Sequence, residues 1–428
     1  HLQRERANLL VAFEHLQEMA PEDAARMGEV LDRMLRVGGP VRTHVSILDR
    51  AIEAARRADA GDLLAHTLLA RGNLAMVRGN LDHSSTILED ALQQAHRAEA
   101  PTLEAHALFS LGEIARNRGI LEPAAERFDC SLQQARRAGA TGLERLALAH
   151  LAGCRVDLGD TDASAALLDR LQALPPAENL RREARTMQRA AYVAYFHGDY
   201  LQQRRFGRRA LEHSRRVADR KLEGLALQAL ADSAFARGDY EAAIERYREA
   251  LEPHRELGNE HYEGMLLGNL GTALHRLGRL DRAADRYRQG LQIHRKTGAR
   301  PYRATVALAL GTLHFEQQDT AAAEELLDEA LETFADIDNQ DEEEAAVQWT
   351  LGWCAIAESN HRRAAERFRA AETQFGDVGA DDWQLLSEAA RLAVAPSESA
   401  SGDFPDAQFE NRLDELGDEV DPDGREIF

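Results

Sequence analysis

The stretch "GDYEAAIERYREAL", Gly238 to Leu251, decides the fold because its main features recur every forty residues. A glycine opens it, Ala243 follows five residues later, and Tyr247 lies four residues after that alanine. Apolar residues at spacings of three and four are typical of one face of an α-helix. The stretch therefore predicts a turn followed by a helix that packs a small and a large residue against a neighbour.

The same turn recurs along the chain at intervals of 39 to 41 residues. Its positions are Gly39, Gly79, Gly119, Gly159, Gly198, Gly238, Gly278, Gln318 and Ser359. Seven residues before each turn from Gly79 onward lies a small residue, namely Gly72, Gly112, Ala152, Ala191, Ala231, Gly271, Gly311 and Gly352. An apolar pattern of helical period lies on both sides of each turn, so each unit is predicted to be a helical hairpin whose helices approach closely.

A large residue four places after the alanine is predicted to fill the space beside these small residues. It is Phe128, Tyr247, Tyr287, Leu327 or Phe368, depending on the unit. Pro101 and Pro301 share one phase, five units apart, where the first turn of a helix tolerates a missing N–H.

The repeated pattern reads Leu-Gly, seven residues to Gly-Asp-Tyr, then Ala-x-x-x-Tyr and Ala-Leu. This pattern resembles the tetratricopeptide repeat (TPR). The resemblance covers about residues 25–380, although the period is 40 residues instead of the usual 34. It implies an all-α fold, a right-handed superhelical solenoid of helical hairpins whose first helices line a concave groove. Function is expected to lie in that groove.

The predicted domain organisation has four parts. Residues 1–24 form an N-terminal capping helix, residues 25–380 an array of eight to nine 40-residue hairpins, residues 381–395 a C-terminal capping helix, and residues 396–428 an acidic tail. The segment with Glu5, Asn8, Leu9 and Ala12 resembles the helix that begins the repeat-rich sensor half of STAND-class signalling ATPases and of related bacterial regulators and kinases. Since the chain begins with His1, it is expected to be a piece of a longer protein.

Net charge, cysteine content and apolar runs indicate which partners, sites and locations are not expected. The chain has 428 residues and a formal net charge of −21, which disfavours nucleic acid as a partner because phosphates are repelled. Its three cysteines form no C-x-x-C pair, so neither a disulfide framework nor a zinc site is expected. No apolar run spans a bilayer and no signal peptide is present, so we predict a cytoplasmic protein that does not enter membranes.

Motifs for catalysis are missing from the sequence. It contains no G-x-x-x-x-G-K-[ST] phosphate loop, no H-E-x-x-H zinc helix and no G-x-S-x-G nucleophile turn. The glycines of "GNLGTALHRLG", Gly268 to Gly278, lie in a predicted helical hairpin and do not follow a strand, which excludes a dinucleotide site. We therefore predict no enzyme activity, no cofactor and no metal.

One irregular unit breaks both the packing and the charge pattern. Between Arg181 and Lys221 there are twelve basic and four acidic residues inside an acidic chain. Gln203 and Gly207 replace the small and the large packing residue, so this hairpin is expected to pack loosely. The four arginines of the same helix are predicted to point outward: Arg204, Arg205, Arg208 and Arg209.

The repeat frame also predicts which residues face the groove. The binding candidates are Arg185, Gln188, Arg189, Tyr192, Tyr195, Gln228, Asp232, Asn269, Thr272 and Arg276. Arginine with interleaved tyrosine is typical of anion recognition, because guanidinium groups bind carboxylate or phosphate through two hydrogen bonds. The alternative is that the arginines are only solvated and the tyrosines only pack.

The sequence thus favours a non-catalytic scaffold that binds a protein or peptide, as the sensor or partner-recognition region of a larger signalling protein. An acidic peptide is the preferred ligand, and the chain's own tail, Phe404 to Val420, is one candidate. The alternatives are a stand-alone adaptor protein and a regulator that binds a small anionic effector such as a nucleotide. The oligomeric state is not indicated.

Overall fold

The computed structural model describes residues 2–35, 40–335, 337 and 341–394, with the side chains of 2–7 and 393 left out. Twenty α-helices and no strand occur in this part of the chain. Gly39 and the predicted acidic tail, 396–428, lie outside the described residues. The helices are α1 (Leu2–Met19), α2 (Pro21–Leu35), α3 (Val41–Arg57), α4 (Gly61–Val77), α5 (Leu81–Arg97), α6 (Pro101–Asn117), α7 (Leu121–Arg137), α8 (Thr141–Asp157), α9 (Thr161–Ala173), α10 (Leu180–Phe196), α11 (Tyr200–Arg216), α12 (Arg220–Phe235), α13 (Tyr240–Glu256), α14 (Glu260–Arg276), α15 (Leu280–Thr297), α16 (Arg300–Glu316), α17 (Thr320–Phe334), α18 (Asp341–Ala357), α19 (His361–Asp377) and α20 (Asp381–Val394).

The described part of the chain divides into two compact units; unit 1 ends at Ser233 and unit 2 begins at Ala234. In each unit consecutive helices pack as antiparallel pairs, such as α6 with α7 in unit 1 and α14 with α15 in unit 2. The predicted all-α fold of TPR-like helical hairpins, stacked as a solenoid, is confirmed within each unit. Helices α1 and α20 occupy the segments predicted as caps, and the domain boundaries themselves stay a prediction.

Each predicted turn from Gly79 to Ser359 has its central residue in the left-handed region, with φ between 60° and 79°. Glycine adopts this conformation at little cost, which is why it occupies six of these eight turns. Gln318 and Ser359 adopt it with a side chain, as the period of the sequence requires. The turns therefore lie where the sequence pattern predicts them.

The predicted packing of small residues against large ones is also confirmed. In unit 1 a β carbon on Gly112 would lie 2.8 Å from the ring of Phe128, and in unit 2 one on Gly271 would lie 2.6 Å from the ring of Tyr287. Real β carbons do not approach other atoms so closely, so only glycine permits these helix pairs to pack at this distance. Phe128 and Tyr287 are accordingly almost fully buried.

The first helices of successive hairpins contact one another in unit 1, where α4 touches α6, α6 touches α8, and α8 touches α10. Helices on the inside of a curved stack lie closest to each other, so these four helices form the inner side of unit 1. We call their solvent-facing surface the inner face of unit 1.

The α8–α9 hairpin, which precedes the irregular unit, has a short second helix. Helix α9 has 13 residues, whereas α8 before it has 17. Two prolines, Pro175 and Pro176, follow it, and a proline restricts the residue before it to extended backbone. Leu174 accordingly leaves the helix with φ −87° and ψ 145°. The last turn that α9 would have is replaced by a loop.

Arg145 of α8 occupies the place of that missing turn. Its guanidinium donates to the backbone oxygens of Leu171 (2.8 Å) and Leu174 (2.7 Å), which a longer helix would have satisfied internally. It also donates twice to Glu183 of α10, at 2.9 and 3.2 Å, and Glu183 accepts a further bond from the backbone N–H of Ala177 at 3.0 Å. We call this group the Arg145–Glu183 clasp; both of its side chains are almost fully buried.

The loose packing that is expected at Gly207 of α11 is not observed. Leu230 of α12 fills the space, since a β carbon on Gly207 would lie 3.1 Å from its Cδ2 atom. Phe206 and Gln203 are also buried. The replacement by glutamine instead costs a hydrogen bond, because Oε1 of Gln203 is buried without a partner where most other repeats have alanine or serine.

Candidate binding face on the first helices of unit 1

Helix α10 carries five of the predicted binding residues, Arg185, Gln188, Arg189, Tyr192 and Tyr195. Their spacing of three and four residues places them on one side of the helix. The helix begins at Leu180 because the side chain of Asn179 accepts a hydrogen bond (3.0 Å) from the backbone N–H of Arg182.

Arg189 is held tightly on this face. Its guanidinium pairs with Asp157 of α8 at 3.1 Å and lies over the ring of Tyr192, 4.1 Å from the centroid. The hydroxyl of Tyr192 donates to the same carboxylate at 2.5 Å. Burial and, second, this hydrogen bond raise the pKa of Tyr192 well above its ordinary value. A β carbon on Gly153 would overlap the guanidinium, so Arg189 lies against bare backbone of α8.

Arg185 extends past α8 and contacts α6 on the inner face. It pairs with Glu113 of α6 at 2.5 Å and lies 5.5 Å above the ring of Phe109. Beneath it, His150 packs edge-on against Phe109, with 4.8 Å between the ring centroids. Burial, followed by the charges of Arg185, Arg189 and Arg116, keeps the pKa of His150 well below its usual range, so this imidazole is neutral.

The inner face carries more positive than negative charge. Its charged residues on α6, α8 and α10 that surround this network include four arginines and two carboxylates: Arg116, Arg182, Arg185, Arg189, Glu113 and Asp157. Arg116 has no ion-pair partner among the described residues, and its Nε is buried without a hydrogen bond. Burial and the neighbouring Arg185 lower the pKa of Arg182. Two arginines are thus neutralised by carboxylates, and two are available to an anion.

Four aromatic rings cluster where α10 ends and α11 begins. Tyr192 contacts Phe196, Phe196 contacts Tyr195, and Tyr195 contacts Tyr200, with centroids 4.7, 5.4 and 6.2 Å apart. Tyr195 is 42% exposed and Phe196 is 53% exposed. Exposed apolar side chains in a cluster are typical of interaction sites. Phe196 was missed in the sequence, although it occupies the same repeat position as the candidate Arg276 and could have been found by that frame.

The remaining predicted residues divide between the two units. Gln228 and Asp232 lie half-buried on α12 in unit 1, and Asp232 is near Tyr195, whose pKa is raised first by burial and then by this carboxylate and Tyr200. In unit 2 the half-buried residues on α14 are Asn269, Thr272 and Arg276. The hydroxyl of Tyr287 donates to Thr272 at 3.1 Å. Seven of the ten predicted residues thus lie in unit 1, and their binding role stays a prediction.

Family models described as tetratricopeptide repeat match residues 225–296 and 308–378. The chain thus contains tetratricopeptide repeats. Repeats of this kind make it an interaction scaffold for proteins or peptides, and the fold is generally non-catalytic. The matched residues begin after α10, so the family models do not themselves cover the arginines and tyrosines of that helix.

Two solved structures show the same fold as this chain. A STAND protein with a tetratricopeptide repeat sensor from Pyrococcus horikoshii matches with a TM-score of 0.63 and 14% identity over 86% of the chain. The chain spans 55% of the length of that protein. The apo form of RapI matches with a TM-score of 0.58 and 13% identity over 83% of the chain and 98% of RapI. The comparison with curated protein sequences gave no match.

Within residues 2–35, 40–335, 337 and 341–394, no group of three or more histidine, cysteine, aspartate or glutamate side chains is arranged to hold a metal ion. Of the helices in the same residues, none combines the length and the apolar character needed to span a bilayer.

Proposed function

We propose that the inner face of unit 1 binds an extended acidic segment of a partner protein, and that the chain is the sensor or partner-recognition region of a larger signalling protein. The observation that carries the proposal is the pairing of surplus positive charge on α6 and α10 with exposed aromatic rings at the end of α10. The tetratricopeptide repeats support a peptide or protein as the ligand.

The two neutralised arginines set the geometry of this face, and the two others supply attraction. Because Glu113 and Asp157 already hold Arg185 and Arg189, these side chains are fixed before a ligand arrives. Arg116 and Arg182 add charge for carboxylates of a peptide, which guides association and selects acidic partners. Apolar side chains of the same peptide would lie on Tyr195 and Phe196.

The signalling role rests on the similarity to the sensor-containing Pyrococcus protein, which this chain matches over 55% of that protein's length. A cytoplasmic location is part of the proposal. It is supported by three free cysteines, Cys130, Cys154 and Cys354, of which the last two are buried. Thiols that remain reduced are typical of a reducing compartment.

Peptide display on the purified full chain tests the binding proposal. We expect selected peptides to combine several acidic residues with an aromatic or aliphatic one, and to bind in fluorescence anisotropy. The variant Arg116→Gln/Arg185→Gln should weaken binding at least about tenfold, and so should Tyr195→Ser/Phe196→Ser, since few central residues carry most of the affinity.

The matched control is Arg205→Gln/Arg208→Gln, which removes the same charge from the outer side of the neighbouring helix α11. It should leave peptide affinity unchanged. Peptides without acidic bias, or equal losses in control and inner-face variants, would contradict the proposal. A nucleotide that displaces the peptide would instead favour the alternative of a small anionic effector bound in the groove.

The chain's own tail is a second candidate occupant and is tested separately. A full-length variant carries amides in place of the six acidic residues between Phe404 and Val420. If the tail binds this face, hydrogen exchange of the α10 amides should be faster in the variant than in the natural chain. Identical exchange would remove the tail as a ligand and leave the partner peptide.

A further inference from the structure

A cavity of about 520 Å³ lies beside the end of the short helix α9, on the side away from the inner face. It is bounded by the end of α9, the proline loop and α11, with Met187 of α10 and Arg145 of α8 at its base. Pockets of ~300–1,000 Å³ hold small organic ligands. The cavity exists because α9 is four residues shorter than α8, so its last turn does not fill this volume.

Three arginines of α11 line this cavity together. Arg205, Arg208 and Arg209 are spaced by three and one residues and therefore lie on one side of the helix. All three are exposed. Arg205 and Arg208 have no ion-pair partner among the residues that the structure describes, whereas Arg209 is 3.2 Å from Glu183.

The clasp beneath the cavity does not cancel this charge. Glu183 is the partner of Arg145, so its single negative charge is already compensated before Arg209 approaches it. The four arginines that line the cavity and this one carboxylate leave a formal excess of three positive charges. A monovalent carboxylate would neutralise only a third of that excess. The charge therefore fits a ligand with two or more negative charges.

Apart from Gln172, the residues that line the cavity beside the arginines are apolar. Leu174, Pro176 and Phe206 line it beside the arginines. A bare inorganic anion would leave this surface in contact with water, whereas an organic group would cover it. The wall is also fixed, since the Arg145–Glu183 clasp holds the loop at Leu174 in place. Little ordering is then needed on binding apart from the arginine side chains.

We propose that this cavity binds a small phosphorylated organic molecule, with its phosphates on Arg205 and Arg208 and its apolar part against Phe206 and Pro176. Guanidinium groups match phosphate oxygens through paired hydrogen bonds, which favours phosphate over other anions. The site is separate from the inner face, so this inference does not depend on the peptide proposal. Its ligand would act on α9, α11 and the loop after α9, and not in the groove.

Calorimetry on the purified full chain tests the site with three probes: ATP, inorganic pyrophosphate and adenosine. ATP supplies both the charge and a planar apolar group, pyrophosphate only the charge, and adenosine only the apolar group. We expect ATP to bind with a dissociation constant below about 1 mM, pyrophosphate to bind more weakly, and adenosine not to bind. Equal affinities of ATP and pyrophosphate would overturn the role of the apolar wall.

The variant Arg205→Gln/Arg208→Gln should weaken ATP binding at least about tenfold. The charge-matched control is Arg204→Gln/Arg216→Gln, which changes two arginines of the same helix that do not line the cavity. It should bind ATP as the natural chain does, and circular dichroism should show that both variants retain their helices. Absence of binding by ATP and pyrophosphate alike, or equal weakening in both variants, would overturn the proposal.

Discussion

Replacing Glu183 by glutamine tests the Arg145–Glu183 clasp most directly. The change keeps the shape of the side chain and removes its charge, so the guanidinium of Arg145 stays buried with only backbone oxygens of Leu171 and Leu174 and one amide oxygen as acceptors. Removing one partner of a buried ion pair costs about 3–5 kcal/mol. We expect a value near 3 kcal/mol, because those two backbone bonds remain.

Hydrogen exchange of the amides of α8, α9 and α10 is the suitable assay, since repeat arrays open locally and a single unfolding midpoint would average over them. A loss of about 3 kcal/mol in the free energy of local opening corresponds to exchange faster by about a hundredfold. Amides of unit 2 should be unaffected and provide an internal reference.

The matched control is Glu212→Gln on α11, whose carboxylate is 65% exposed and lies 3.8 Å from Arg216. Surface pairs of this kind contribute about 0–1 kcal/mol, so exchange should change less than tenfold. If Glu183→Gln behaves like this control, the clasp is not a stabilising element and the reasoning from burial is refuted.

Two further changes probe the packing and the pH response. Gly271→Ala should destabilise unit 2 by about 1–3 kcal/mol because its methyl group would overlap the ring of Tyr287. In the control Gly61→Ala, the nearest contact of the methyl group is an ordinary 3.5 Å, so local stability around Gly61 should not fall. Equally accelerated hydrogen exchange around the two sites would contradict this. Because of His150, local stability should fall as the pH decreases from 7 to 5. Burial keeps the pKa of His150 in the folded chain below the ordinary 6.5, so only the unfolded chain takes up the proton. This lowers the stability by up to about 1.4 kcal/mol per pH unit. In His150→Phe, exchange of the α8 amides should lose this one-proton dependence, and an unchanged slope would show that other groups cause it.

The repeated features of the fold were predictable because they depend on spacing within one hairpin. Gly112 and Phe128 are sixteen residues apart at fixed positions of the repeat, so their contact follows from the period alone. The same frame placed Arg185 and Tyr192 on an accessible side of α10. Such residues share a pattern that every hairpin repeats, and packing enforces it.

The partners of the arginines could not be predicted in this way. Arg185 pairs with a carboxylate 72 residues earlier in the chain, and Arg145 with one 38 residues later. Which carboxylate each arginine meets depends on how far each hairpin is displaced from the one before it. This displacement changes at the place where α9 is shortened. The sequence shows an excess of arginine in this region, but which arginines are left without a carboxylate partner is determined by the folded chain. The expectation of loose packing at Gly207 was wrong for a similar reason, since Leu230 comes from the next hairpin.

The thirteen-residue helix α9 also limits how this protein can be re-engineered. Designers often treat solenoid repeats as interchangeable modules, yet a regular unit inserted in place of residues 161–179 would complete the missing turn and satisfy its own carbonyl groups. Arg145 would then lie buried against a helix with no free acceptor, and the volume beside α11 would close. The short α9 thus makes one module irreplaceable, so exchange of repeats is expected to succeed everywhere else in unit 1 before it succeeds at the α8–α9 hairpin.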